Sequence, residues 1–218
     1  QRQMCIRDRS IVHALYEKSE AFAKIKTKID RAAHDYNRLE GKITLIAVSK
    51  QQQEDRIDAS LDAGHRVFGE NRVQEAQKRW SIRKYDYPDL RLHLIGPLQS
   101  NKASDAVRLF DVIHTIDSPK IATAIAKEAA KQNKYIQCFI QVNTGDEPQK
   151  SGVSPKNLPA LLSAIAEHDL VAEGLMCIPP SNDPPAGHFA FLKVLAQRHE
   201  LQGLSMCMSA DYPAAIEL

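Results

Sequence analysis

Residues Ile43-Thr44-Leu45-Ile46-Ala47-Val48-Ser49-Lys50 form an apolar run that closes on a serine and a lysine. The run reads as a strand buried on both faces, the habit of strands in a parallel sheet. A lysine at the mouth of such a strand is poorly hydrated, which lowers its pKa and favours the neutral amine. A neutral amine can attack an aldehyde to form a Schiff base. The plain alternative is a strand-end lysine that reaches into solvent, and position alone favours it; what shifts the balance is the company Lys50 keeps.

Outward from this run the chain alternates short apolar stretches with helical ones. Apolar runs are centred at 43–48, 66–68, 92–95, 111–114, 136–142, 171–177 and 203–206, and helical patterns cover roughly 54–63, 71–84, 101–109, 119–133, 155–168 and 187–199. Ahead of them, residues 11–39 read as one amphipathic helix, with Phe22, Ile25, Ile29, Ala32, Tyr36 and Leu39 on one stripe and Gly41 as its stop. Ser118-Pro119 and Ser154-Pro155 each place a serine at an N-cap and a proline at the first helical position, and Gly64 sits where the helix 54–63 should stop. Alternating βα units imply a parallel α/β fold. Seven strands and an extra N-terminal helix fit a (β/α)₈ TIM-type barrel truncated before its eighth strand. A doubly wound open sheet is the runner-up, but no G-x-G-x-x-G follows the first strand. Residues 1–10 fit no pattern and are set aside as a tail, leaving 11–218 as a single domain. The chain starts on glutamine and stops at Ile216-Glu217-Leu218 in a helical pattern, which suggests a fragment at both ends.

Composition narrows the function. Hydrophobic residues make up 43% and charged residues 26%, ordinary for a globular protein. With 29 basic and 27 acidic residues the net charge is +2, so bulk charge argues for neither nucleic acid nor an anionic membrane. Cys5, Cys138, Cys177 and Cys207 show no C-x-x-C spacing, hence no zinc or redox motif, and a reduced, cytoplasmic protein is the simplest reading. No run reaches the length of a membrane span, and the N-terminus lacks the apolar core of a secretory signal.

In a barrel, functional groups gather at the C-terminal ends of strands. The strand ends here carry Ser49-Lys50, Glu70-Asn71, Gly96 to Lys102, Asn143-Thr144-Gly145, Cys177-Ile178-Pro179 and Ser205 to Ser209. Six segments, LIAVSK (45–50), FGENRVQEA (68–76), HLIGPLQSNK (93–102), QVNTGDEPQKSGV (141–153), GLMCIPP (174–180) and LSMCMSADYPAAIE (204–217), together resemble the pyridoxal phosphate homeostasis family, single-domain relatives of the alanine racemase N-terminal barrel. The resemblance implies that Lys50 holds pyridoxal 5′-phosphate as an internal aldimine. It implies that Asn71 lies near the cofactor ring and that Ser209 is a phosphate ligand, with Ser205, Met206 and Met208 lining the same wall.

Blander roles stand beside these. Asn71 and Ser209 could each be helix caps, and Met206 and Met208 could be core. His93 reads as a hydrogen-bonded structural histidine rather than a base. Lys102 and Asn101 could serve only their loop. Glu70 could pair with a lysine or face the ring. Two departures from the family pattern matter: Cys207 stands where the family has glycine, and the last strand, with its arginine near the pyridine nitrogen and its phosphate element, lies past Leu218.

The resemblance implies a non-catalytic protein that binds pyridoxal phosphate and buffers it or delivers it to pyridoxal phosphate-dependent apo-enzymes, acting as a monomer. An amino-acid racemase is the alternative. Racemisation needs groups that move the α-proton on both faces, and the two-domain racemases take the opposing tyrosine from a C-terminal domain that nothing here supplies; Tyr212 is a poor substitute. A cofactor-free Schiff-base lyase would need a base beside Lys50, and none is clearly placed.

Overall fold

The computed structural model describes residues 23–36, 43–206 and 212–217, the side chains of Tyr212 and Pro213 excepted. The chain divides into two compact units, Gln1–Leu45 with Gln51–Arg66, and Ile46–Lys50 with Val67–Leu218. In the first, α1 spans residues 23–35 and buries Ile29 and Ala33. Helix α2, Glu54–Asp62, buries Ile57, Ala59 and Leu61 and opens on Glu54 and Asp55, acidic residues suited to the positive end of its dipole. It ends as expected at Gly64, whose φ of 85° belongs to the left-handed region.

The second unit is a seven-stranded parallel sheet in sequential order. Its strands are β1 Ala47–Val48, β2 Val67–Glu70, β3 Arg91–Leu94, β4 Val112–Ile116, β5 Gln137–Gln141, β6 Ala172–Cys177 and β7 Gly203–Met206. Helices α3 Val73–Asp86, α4 Ala103–Leu109, α5 Pro119–Gln132, α6 Leu158–Ala166, α7 Pro185–Arg198 and α8 Tyr212–Glu217 fall between and after them. This is the strand order and alternation of a (β/α) barrel. Short 3-10 turns at Ser100–Lys102 and Pro155–Asn157 lead into α4 and α6. Ser118 and Ser154 occupy their cap positions ahead of Pro119 and Pro155, but neither side chain makes a capping bond.

The sheet is curled. His114 on β4 bonds Ser205 on β7 at 2.8 Å; in a flat sheet, strands three apart lie about 14 Å from each other. One face packs on the helices: the Phe68 ring meets Trp80 of α3 at a tilt of 43° with ring centroids 4.6 Å apart, and Leu92, Leu94, Ile113 and Ile140 are fully buried.

The opening run departs from expectation. Only Ala47–Val48 forms strand, Thr44 is exposed, and Val48 is 42% exposed. Among the described residues β1 pairs with β2 alone. The N-terminal tail, the helix ends at 11–22 and 37–39, and Gly41 lie outside the described residues.

Candidate functional site

Strand alternation sorts the residues around Lys50. A side chain added at Gly69 would meet Ile46, so Ile46 and Gly69 share the concave face, and alternation carries Val48 and Lys50 to that face. Val48 pairs with Gly69, and Lys50 and Asn71 each follow two residues beyond that pair. Lys50 is half-buried in a turn, directly ahead of Gln51, whose φ is 58°. Among the described residues its amine makes no hydrogen bond or ion pair. Asn71 is likewise half-buried and just precedes α3. It does not cap that helix, whose N-cap is Arg72. The β3 loop crosses directly over it: a Cβ on Gly96 would lie 2.2 Å from the Asn71 carbonyl oxygen, so only glycine allows that approach.

Ser49 points the other way. Its hydroxyl donates to Glu70 Oε1 at 2.7 Å and lies 3.2 Å from the Gly69 carbonyl. Glu70 is fully buried and also accepts from Arg79 at 2.8 Å and from Trp80 Nε1 at 2.9 Å, all through Oε1. Glu70 therefore faces α3, where its cation is an arginine, and it neither pairs with a lysine nor faces the concave side. Its Oε2 has no hydrogen-bond partner among the described residues.

On the concave face three polar groups form a chain. His93 Nδ1 meets His114 Nε2 at 2.8 Å, and His114 Nδ1 meets Ser205 Oγ at 2.8 Å. The His114 ring lies flat on Phe139, 2° from parallel with centroids 4.7 Å apart. Burial, with smaller pushes from Arg91 and Lys84, lowers the His93 pKa to about 4. Burial and then His93 lower that of His114 to about 3. Both rings are thus neutral at pH 7, and His93 Nε2 has no partner among the described residues. His93, inside β3, is hydrogen-bonded, as expected.

Two rim loops are tied together as well. His188 on α7 bonds Thr144 Oγ1 at 3.0 Å and lies 3.6 Å from Asp183, while Gly145 packs against Pro180. Among the described residues no group of three His, Cys, Asp or Glu side chains could hold a metal ion.

Of the residues singled out from sequence, Lys50 and Asn71 follow the C-terminal ends of the neighbouring strands β1 and β2, and Ser205 and Met206 are half-buried on β7. Met208, Ser209 and Cys207 lie outside the described residues. His114 and Arg79 went unnoticed in the sequence. The one signal for His114 was a polar residue inside an apolar run; nothing local marks Arg79.

The family model for the alanine racemase N-terminal domain matches residues 27–217. A pyridoxal phosphate homeostasis protein of Vibrio cholerae is 39% identical over 204 residues, covering 88% of this chain and 86% of its own. The structure of PipY from Synechococcus elongatus with pyridoxal phosphate bound superposes with a TM-score of 0.71 at 35% identity, over 87% of this chain and 92% of PipY. An alanine racemase of Clostridium difficile shares only the fold, at 13% identity and a TM-score of 0.62, over 85% of this chain and 50% of the racemase. A family match over most of the chain, joined to relatives of nearly equal length, places the chain among the pyridoxal phosphate homeostasis proteins of the alanine racemase N-terminal domain family.

Proposed function

We propose that this chain binds pyridoxal 5′-phosphate through a Schiff base on Lys50 and takes part in pyridoxal phosphate homeostasis in the cytoplasm, without catalytic turnover. The observation that carries the reading is the Lys50 amine, unpaired among the described residues, just past the C-terminal end of β1. The residues suit the group. An amine without a carboxylate partner is free to add to an aldehyde. Asn71 and the Ser205 hydroxyl offer neutral hydrogen bonds on the concave face, and Ser209 and backbone N–H groups after β7 would hold the phosphate. Bound, the cofactor would supply an electron sink.

Support for a carrier rather than a racemase comes from the concave face. Its two histidines are neutral and bonded to each other and to Ser205, leaving neither as a charged acid facing Lys50. The same reading takes the protein as a single barrel domain and a monomer that buffers the cofactor or passes it to apo-enzymes.

The test is an absorbance spectrum of the protein mixed with pyridoxal phosphate, repeated on Lys50→Ala, with a racemase assay on both samples. A Schiff-base band lost in the variant, and no racemisation in either sample, is the expected result. A band that survives Lys50→Ala removes Lys50 as the anchor. Racemisation that depends on Lys50 replaces the carrier with an enzyme.

A further inference from the structure

We propose that Arg79 and Glu70 are positioning residues for Lys50: their buried ion pair grips Ser49 and so fixes the point from which the lysine leaves the sheet. The proposal rests on Lys50 being the cofactor anchor.

Every polar group of Ser49 is engaged. Its N–H donates to the Gly69 carbonyl at 3.0 Å, its hydroxyl donates to Glu70 Oε1 at 2.7 Å, and its carbonyl accepts from Arg79 Nη1 at 2.8 Å. The same Nη1 lies 2.8 Å from Glu70 Oε1, so one guanidinium nitrogen bridges the carboxylate and the backbone. Trp80 Nε1, fully buried, holds the same carboxylate oxygen at 2.9 Å.

The location argues for a role beyond stability. Burying an ion pair is a poor way to stabilise a fold, because desolvation offsets most of the attraction, and such pairs are better explained by the geometry they impose. The geometry here needs imposing. β1 is only two residues long, so its own ladder offers few hydrogen bonds to hold the backbone next to Lys50. On the far side of Lys50 the chain bends at Gln51 through a left-handed conformation. Residue 49 is the last fixed point before the lysine. Because Ser49 turns to the helices, alternation sends Lys50 to the concave face. Arginine suits the post because its planar guanidinium holds Nη1 in a fixed direction, whereas a lysine ammonium rides on a flexible stem.

The experiment measures how fast Lys50 is labelled. Pyridoxal, which lacks the phosphate, is offered to the full chain with sodium borohydride. The amine condenses with the aldehyde and releases water; borohydride delivers hydride to the C=N carbon and water protonates the nitrogen, leaving a secondary amine that mass spectrometry locates. Exposed Lys120 and Lys127 serve as internal standards. In the wild type Lys50 is labelled ahead of both. In Arg79→Lys the Lys50-to-Lys120 ratio falls at least about tenfold, as a displaced reacting group should. Glu70→Leu with Arg79→Met guards against simple unfolding, since apolar replacement of a buried pair commonly preserves the fold. That double variant still melts cooperatively, at a lower temperature because Trp80 Nε1 and the Ser49 hydroxyl lose their acceptor, and loses Lys50 labelling to the same degree, while Ser49→Ala shows a smaller loss. A folded double variant that labels Lys50 at the wild-type rate overturns the positioning role alone. A wild type that shows no preference for Lys50 overturns the anchor assignment and the positioning role together.

Discussion

A neutral imidazole carries one N–H, so His114 can donate to only one of its partners, His93 Nδ1 or the Ser205 hydroxyl. Two proton arrangements satisfy the chain. In one, Ser205 donates inward and the run ends on a buried His93 Nε2–H with no acceptor among the described residues. In the other, His93 Nδ1–H donates outward, His114 donates to Ser205, and the serine O–H is left to donate to whatever occupies the concave face. The second leaves a bare ring nitrogen buried rather than a bare N–H. In either case His114 is the hinge of the run. Phenylalanine in its place would keep the stack on Phe139 and remove both bonds. His114→Phe should therefore cost about 2 kcal/mol, the range for stranding buried polar partners. Adding Ser205→Ala to that background should cost little more, because the bond is already gone. Urea denaturation of the four members of the cycle measures the coupling; strictly additive losses would show that the bond contributes nothing.

At the scale of elements, β6 and β7 approach more closely than side chains allow. A Cβ built on Gly174 would lie 1.9 Å from the Gly203 carbonyl oxygen, and one on Gly203 would lie 2.8 Å from Phe139. The obstacle at Gly174 is backbone, which cannot rotate aside, so the strands must part. Gly174→Ala should destabilise by about 3 kcal/mol, near the upper end for overpacking, read as a lower urea midpoint; an unchanged midpoint would mean that β7 moves freely on β6. Most of these elements were legible in the sequence. β3, β5, β6 and β7 fall where their apolar runs do, and Gly64 and Pro119 mark real helix ends. The exception is β1, because an apolar run records a preference for burial, while its length as a strand depends on partners, and among the described residues β1 pairs only with β2. At the site, Lys50 and Asn71 could be found because strand ends collect function. Arg79 could not, since its partners, Ser49 and Glu70, come from two other elements and no local pattern announces them.

At the scale of the whole molecule, the two buried histidines tie folding to pH. Both have folded pKa values below the ordinary 6.5, about 4 for His93 and about 3 for His114, chiefly because burial penalises the charged ring. The unfolded chain exposes both rings, where they titrate near 6.5. Above pH 6.5 neither state binds these protons and their contribution to stability is complete. As pH falls below 6.5 the unfolded chain takes up protons that the folded chain refuses, so stability drops by about 1.4 kcal/mol per pH unit for each ring. The loss runs down to about pH 4 for His93 and pH 3 for His114. The Arg91 and Lys84 charges add smaller pushes against protonation of His93, and Lys84 is itself paired with Asp111 at 2.7 Å. By pH 5 the two rings together should cost about 4 kcal/mol, a large share of the stability of an ordinary domain. Urea titrations of the wild type at pH 7, 6 and 5 should show the midpoint falling at each step. His93→Phe with His114→Phe, less stable at pH 7, should give a nearly level profile over the same interval, because the groups that refuse the proton are gone. A wild-type profile as level as that of the variant would mean that the concave face admits water and charge, and that the histidine run is not the sealed element its burial describes.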